Sequence, residues 1–385
     1  MTLTANWTFP TPIRFGPGRI AELARACRRA PMARPLLVTD PGLAGLPMIA
    51  AMTEACRSDG LEVGLFSEVR SNPVEANVSA GVEAFRVGGH DGVIAVGGGS
   101  ALDCGKLIAF MTAQTRPIWD FEDKGDWWRR ANTEGIAPIV AVPTTAGTGS
   151  EVGRAGVVTN EETHVKKIIF HPDMLPKVVI CDPELTVGLP PGLTAATGMD
   201  ALSHCLEAYC APGYHPMADG IAVEGIRLVK DCLPRAVVQG DDIAARAGMM
   251  AAAAMGSVAF QKGLGAIHAL SHPVGALYDT HHGLTNAVFM PFVLAFNRPA
   301  VEARIGRLAG YLGLDPAFDS FMDWVLSLRA ELDIPHKLDA LGIDTAQADR
   351  IAELAEADPT AGGNPVELTR ERAGEIFESA MRGTI

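Results

Sequence analysis

The texture of the chain changes once, at Leu189-Pro190-Pro191. Before that point short β-branched runs alternate with amphipathic stretches. Residues 35–40, 61–66, 92–96, 138–142 and 178–182 read as strands, and helical patterns such as 20–29 and 76–86 fall between several of them. After it, strand-like runs vanish. Ala/Leu/Met-rich segments with helical period take over, at 195–209, 218–238, 244–258, 301–312, 318–332 and 369–381. Alternation of this kind predicts an α/β domain over residues 1–187, with a mostly parallel sheet covered on both faces. Residues 188–385 are predicted to form an all-α domain. Sheets of the first type take their ligands beyond the carboxyl ends of the strands.

Composition narrows the function classes. Acidic residues outnumber basic ones 45 to 32, for a formal charge of −13. Such a surface has no electrostatic grip on nucleic acid or anionic membrane. The seven cysteines are odd in number and include no C-x-x-C pair, so reduced, buried thiols in a cytoplasmic protein are expected. The first residues lack a basic region followed by an apolar run, and no signal peptide is read. The longest apolar stretch, 247–260, is shorter than the roughly 20 residues of a bilayer span and reads as a core helix.

Val93-Ile-Ala-Val96 runs into Gly97-Gly98-Gly99-Ser100, with Asp103 and Lys106 following on a helical pattern. Glycines let a backbone approach a phosphate, and a helix N-terminus offers N–H donors to it. Ser100 and Asp103 have the spacing of a capping box. The G-x-G-x-x-G fingerprint is absent because Leu102 fills its last place, and the P-loop fails because Leu107 follows the lysine. A second strand-to-turn segment, Pro143-Thr144-Thr145-Ala-Gly147-Thr148-Gly149-Ser150, is dense in hydroxyl donors. Asp40 closes an earlier strand, where an acid can bond an adenosine ribose and repel a 2′-phosphate. Together these features predict NAD rather than NADP.

The helical half carries Asp200-Ala-Leu-Ser-His204 and His268-Ala-Leu-Ser-His272, each an i, i+4 pair on one helix face, followed by His281-His282-Gly283. Polar groups on apolar helices are costly to bury unless something satisfies them together, and a cation does so. One carboxylate with imidazoles suits Fe²⁺ or Zn²⁺ and needs no thiolate.

Taken together, these segments resemble the iron-containing (group III) alcohol dehydrogenase family, through nearly the whole chain from Thr39-Asp40 to Gly362-Gly363-Asn364-Pro365. The resemblance implies the two-domain, dehydroquinate synthase-like architecture and four metal ligands, Asp200, His204, His268 and His282. Its cofactor contacts fall on Asp40, Asn72, Gly98, Gly99, Ser100, Asp103, Thr144, Thr145 and Lys166. His272 matches an active-site histidine that touches cofactor or relays a proton, and a homodimer is implied as well. Ala155 and the short, lysine-bearing stretch 259–265 depart from the common pattern.

The activity implied is hydride transfer between NAD(H) and a small primary alcohol or aldehyde. Lys262 and Arg154 lie in segments that the resemblance puts near the pocket, which raises an ω-hydroxy acid or semialdehyde as substrate. Three rivals are a maleylacetate-type reductase that needs no metal, a dehydroquinate-synthase-like lyase, and a nucleotide-binding module without activity. Glycerol dehydrogenases share the fold.

Overall fold

The computed structural model describes residues 11–163 and 165–385. They fall into two compact units. One runs to Thr145 and then from Gly149 to Gly188; the other takes Leu189–Ile385 together with Ala146–Thr148.

In the first unit, six parallel strands form one sheet: β1 (Ile13–Phe15), β2 (Pro35–Val38), β3 (Gly64–Phe66), β4 (Gly92–Gly97), β5 (Ile139–Pro143) and β8 (Val178–Cys181). The order is β1-β8-β5-β4-β2-β3. Every residue of β2, β4, β5 and β8 is buried, as strands covered on both faces must be. One face, with Leu37, Ile94, Val96, Val140 and Ile180, packs under Cys27 of α1 (Leu23–Arg29) and Ile49 of α3 (Pro47–Ser58). Each such aliphatic side chain contributes about 1.5–3 kcal/mol on leaving water. On the other face Ala95 of β4 meets Gly105 of α5 (Gly99–Met111), where an added Cβ would come within 2.6 Å of the Ala95 methyl. The connections part between β2 and β4, one leading outward to β3 and the other to β5. Ligands of such sheets bind at this switch point.

Several elements were not anticipated. Strand β1 adds an edge. An antiparallel hairpin of β6 (Ala155–Asn160) and β7 (Val165–Phe170) pairs Thr159 with Lys166. Helix α12 (Ala348–Ala357) fills the gap before the C-terminal helix.

The second unit has no strand among the described residues. Helices α6 (Pro191–Cys210), α7 (Pro216–Val238) and α8 (Ile243–Ala259) pack on one another, and α9 (Ala266–Tyr278), α10 (His282–Tyr311), α11 (Phe318–Glu331), α12 and α13 (Arg370–Arg382) complete it. Segment Ile243–Lys262, with 20 residues, is long and apolar enough to cross a membrane by length and composition. It holds the 247–260 stretch together with Arg246 and Lys262, and 56% of its most apolar window is buried inside the protein, as in a core helix. All seven cysteines are buried and none is disulfide-bonded.

Candidate metal and nucleotide sites

Helix α6 presents Asp200 and His204 one turn apart, both buried because Ala201, Leu202 and Cys205 around them fill the bundle core. Helix α9 adds His268, and α10 begins with His282. From Asp200 Oδ1 the Nε2 atoms of His204, His268 and His282 lie at 4.0, 3.9 and 3.6 Å. Ligands held at about 2.1 Å by a tetrahedral ion stand about 3.4 Å apart, and the three imidazole nitrogens approach that distance from Asp200 Oδ1. For Asp200, His204 and His268, all ligand atoms fall within 4.8 Å of one another. His281, beside them in sequence, caps α10 instead, its Nδ1 accepting from Leu284 N–H at 3.4 Å.

Whether a metal fits can be judged from Asn286, one turn into α10. Its Nδ2 lies 2.8 Å from Asp200 Oδ1 and 3.2 Å from Nε2 of both His268 and His282. An amide NH₂ has two hydrogens, and three acceptors converge on it. Acceptors are therefore in excess at a fully buried point, and a divalent ion satisfies that excess. Burial pushes His204 down to about 4, with Asp200 opposing, so its imidazole is neutral and able to ligate at neutral pH. His268 goes the other way. Burial lowers it, but the Glu207 charge and hydrogen bond, with Asp200 behind, outweigh that and lift it above its usual value.

His272 Nδ1 lies 2.9 Å from Asp358 Oδ2, and its ring stacks on His282 at 5.5 Å between centroids. Asp358 also accepts from Thr360 N–H at 2.8 Å and from its hydroxyl. Burial works against the charge of Asp358, yet His272 and Thr360 hold its carboxyl below the usual range.

In the α/β unit, the predicted cofactor residues gather at the carboxyl ends of β2, β4 and β5. Asp40 follows β2 and caps the short α2 (Pro41–Ala44), accepting from Leu43 N–H at 2.9 Å. Gly97 closes β4 at φ 144°, a conformation that excludes a side chain, and a Cβ there would stand 3.6 Å from Asp40 Oδ2. Gly98 is the true N-cap of α5, and a Cβ on it would reach within 3.3 Å of Thr145. Thr144 N–H donates to Gly97 C=O at 3.0 Å. Asn72, itself at φ 53°, accepts from Lys166 Nζ at 2.8 Å and donates its own N–H to Ser100 Oγ at 3.3 Å. The turn is thus a glycine cradle edged by Asp40, Thr145 and the Asn72–Ser100–Lys166 group.

Two expectations need correction. The capping box does not form, because Ser100 turns to Asn72 and Asp103 turns inward. Asp103 accepts from Ser150 Oγ at 2.5 Å and Val157 N–H at 3.1 Å, and pairs with Lys106 at 3.2 Å. Lys262 is no spare cation either. Its ammonium bonds Asp219 at 2.5 Å and the Tyr209 carbonyl at 3.2 Å, and the side chain is 1% exposed. Arg154 lies over the Phe170 ring, 5.3 Å from its centroid, and forms no ion pair among the described residues.

Sequence reading missed Glu207, Asn286 and Asp358. Two of them had a signal, since Glu207 shares the α6 face of Asp200 and His204 at i+7 and i+3, and Asn286 shares that of His282 at i+4.

Comparison with known proteins matches this layout. The family model described as iron-containing alcohol dehydrogenase covers residues 10–183, and that for the C-terminal part of Fe-containing alcohol dehydrogenases covers 194–381. A 4-hydroxybutyrate dehydrogenase of Cupriavidus necator is 39% identical over 96% of this chain and 98% of its own length. The crystal structure of a 1,3-propanediol oxidoreductase superposes with a TM-score of 0.93 at 35% identity, covering 98% of this chain and 100% of the other. A sulfoacetaldehyde reductase from Bifidobacterium kashiwanohense, solved in complex with NAD⁺, gives 0.89 at 29% identity, covering 98% and 99%. With family models spanning both units and relatives aligned nearly end to end, the chain belongs to the iron-containing alcohol dehydrogenase family and is an oxidoreductase acting on alcohols.

Proposed function

We propose that the protein interconverts a small primary alcohol and its aldehyde, using NAD(H) and one divalent ion, Fe²⁺ in the cell with Zn²⁺ as the alternative. The observation that carries this reading is the surplus of acceptors from Asp200, His268 and His282 around the amide of Asn286, with His204 Nε2 4.0 Å from the same Asp200 oxygen. When bound, the ion acts as a Lewis acid toward the substrate oxygen.

The remaining roles fall to the chain itself. The Gly97–Ser100 turn and Thr145 accommodate the dinucleotide phosphates, and Asp40 bonds the adenosine ribose, which disfavours a 2′-phosphate and hence NADP. Lys166, with Asn72, orients the nicotinamide half, and Asp103 acts indirectly by holding the loop that begins at Ser150. His272 carries the hydroxyl proton outward at Nε2, while Asp358 fixes its Nδ1–H. Lys262, held by Asp219 and the Tyr209 carbonyl, is assigned a structural role in this reading.

An ω-hydroxy acid is the substrate class we favour. The similarity to a 4-hydroxybutyrate dehydrogenase supports it, and Arg154, with no ion pair among the described residues, offers a cation to a carboxylate. The family reading also carries a homodimer in the cytoplasm, which light scattering of the purified protein checks for assembly.

Elemental analysis of anaerobically purified protein, followed by an alcohol and aldehyde panel with NAD(H) and NADP(H) at 340 nm, tests the whole. One metal equivalent, NAD(H) preference and loss of turnover on chelation are expected. Turnover unchanged by a chelator would move the protein to the metal-independent reductases.

A further inference from the structure

We infer that Glu207 is a positioning residue for the metal centre, fixing which nitrogen of His268 faces the ion; this rests on the metal reading above. Nothing in the sequence analysis assigned a role to Glu207, or to the Gly362-Gly363-Asn364-Pro365 segment to which it is linked.

The argument starts at the acceptor that has no choice. A carboxylate oxygen only accepts, so Asp200 Oδ1 at 2.8 Å requires Asn286 to present its NH₂. That NH₂ also meets His268 Nε2 at 3.2 Å, which makes Nε2 the ring nitrogen bearing the lone pair. In a neutral imidazole the proton then sits on Nδ1, and Nδ1 donates to Glu207 Oε2 at 2.5 Å. The lone pair that would ligate the ion is therefore aimed by the carboxylate on the far side of the ring, an arrangement common behind ligating histidines.

Glu207 is itself held. Its Oε1 accepts from Ile267 N–H at 2.6 Å, in the first turn of α9, and both side chains are fully buried. The neighbouring Ala266 N–H donates to Asn364 Oδ1 at 3.1 Å, and Asn364 exchanges two further bonds with Asn297 at 2.9 and 2.7 Å. Gly265 sits between these groups, where a Cβ would lie 2.8 Å from Asn364 Oδ1 and 3.1 Å from Glu207 Oε1. The start of α9 is thus clamped from two sides, so His268 can neither slide nor rotate freely. Asn364 places the helix; Glu207 places the helix and also sets the tautomer.

That difference gives the test. Glu207→Gln keeps an acceptor for Ile267 but presents either an NH₂ to Nδ1–H or the wrong nitrogen to the helix, and so favours the ring with its proton on Nε2. Apparent affinity for Co²⁺ and Zn²⁺, measured by chelator competition without substrate or nucleotide, should fall about 10–100-fold. Asn364→Ala should lower the thermal midpoint while leaving metal affinity close to that of the parent. Equal losses of affinity in both variants, or none in Glu207→Gln, would overturn the inference. A measurement on the unaltered protein stands beside these: metal-free protein carrying [¹⁵N]histidine should show a downfield Nδ1–H proton that is missing in His268→Gln. A His268 proton on Nε2 would overturn the inference without touching the metal reading, whereas a parent protein that binds neither ion would remove the reading itself.

Discussion

Each unit buries a polar cluster, and the two are built on opposite principles. In the α/β unit the ammonium of Lys106 is fully buried and donates to the Ser150 and Ala155 carbonyls and to Asp103. Asp103 in turn receives Ser150 and Val157. Three donor hydrogens meet three acceptors, and the network closes on itself. In the helical unit three acceptors face a single amide, and Asn286 Oδ1 is left without a hydrogen-bond partner. A closed cluster holds a loop in place; one with acceptors left over is a place for a cation. Burial and charge alone would not have separated them. The count of donors against acceptors does.

The largest effect should come from the open cluster. Asp200→Asn turns an acceptor into a partial donor, and His282→Ala removes a proposed ligand outright. Either should reduce bound metal well below one equivalent and turnover by about 100-fold or more, since even partners behind the ligands cost about 10–100-fold. Elemental analysis and turnover measured together check this, with little change in unfolding midpoint of the metal-free protein. Full metal retention in both variants would break the contrast drawn above.

The closed cluster should respond in stability instead. Lys106→Met leaves Asp103 and two carbonyls short of a buried donor, a change that costs about 3–5 kcal/mol when one partner of a buried pair is lost. Denaturant unfolding measures it, and the metal content of the folded protein should stay at the parent level.

Glu151, beside Lys106 in the same buried region, adds a pH dependence. Burial pushes its carboxyl up to about 7 from an ordinary 4.5, against the charge of Lys106. Folding therefore takes up a proton between these values, and a raised pKa means stability that is present below pH 4.5 and lost as pH rises through 7. The loss is on the order of 3 kcal/mol. Unfolding curves at pH 5 and pH 8 should differ accordingly, and Glu151→Gln should flatten the difference. A pH-independent contribution in the parent would mean that the carboxylate finds partners in the folded protein that offset its burial.

How much of this was legible in the sequence follows from the same distinction. Strands β2, β4, β5 and β8 are buried on both faces, so their β-branched runs stand out, whereas the hairpin of β6 and β7 has half-exposed faces and lysines that blur the pattern. The sequence pattern starts a helix only at 301, past Pro299, yet Phe289, Met290, Phe292 and Val293 bury enough apolar surface to carry α10 from His282 through Pro291 and Pro299. Asp200, His204 and His268 stood out because two i, i+4 pairs lie on apolar helices, whereas the full set of four proposed ligands came from the family resemblance. Glu207 did not stand out, since a glutamate on a helix usually reads as a solvated face. The closed cluster was invisible for a further reason: Asp103 and Lys106 meet Ser150 and Ala155 only after α5 packs against the segment following β5, and the local spacing suggested a capping box instead.

The smallest effect concerns substrate, and it depends on one guanidinium that neither cluster uses. Arg154 is half-buried and rests on Phe170, with no ion pair among the described residues, whereas Lys262 is consumed by Asp219. Removing a single charge-assisted contact to a substrate carboxylate costs about 1.5–3 kcal/mol when the contact is dry and less when water shares it. Arg154→Met should thus raise KM for succinic semialdehyde several-fold and leave that for butanal unchanged. Lys262→Met should disturb stability and treat the two aldehydes alike, because its partner is an internal carboxylate. A selective loss in Lys262→Met with none in Arg154→Met would reverse the assignment, and would mean that the Lys262–Asp219 pair opens when substrate binds.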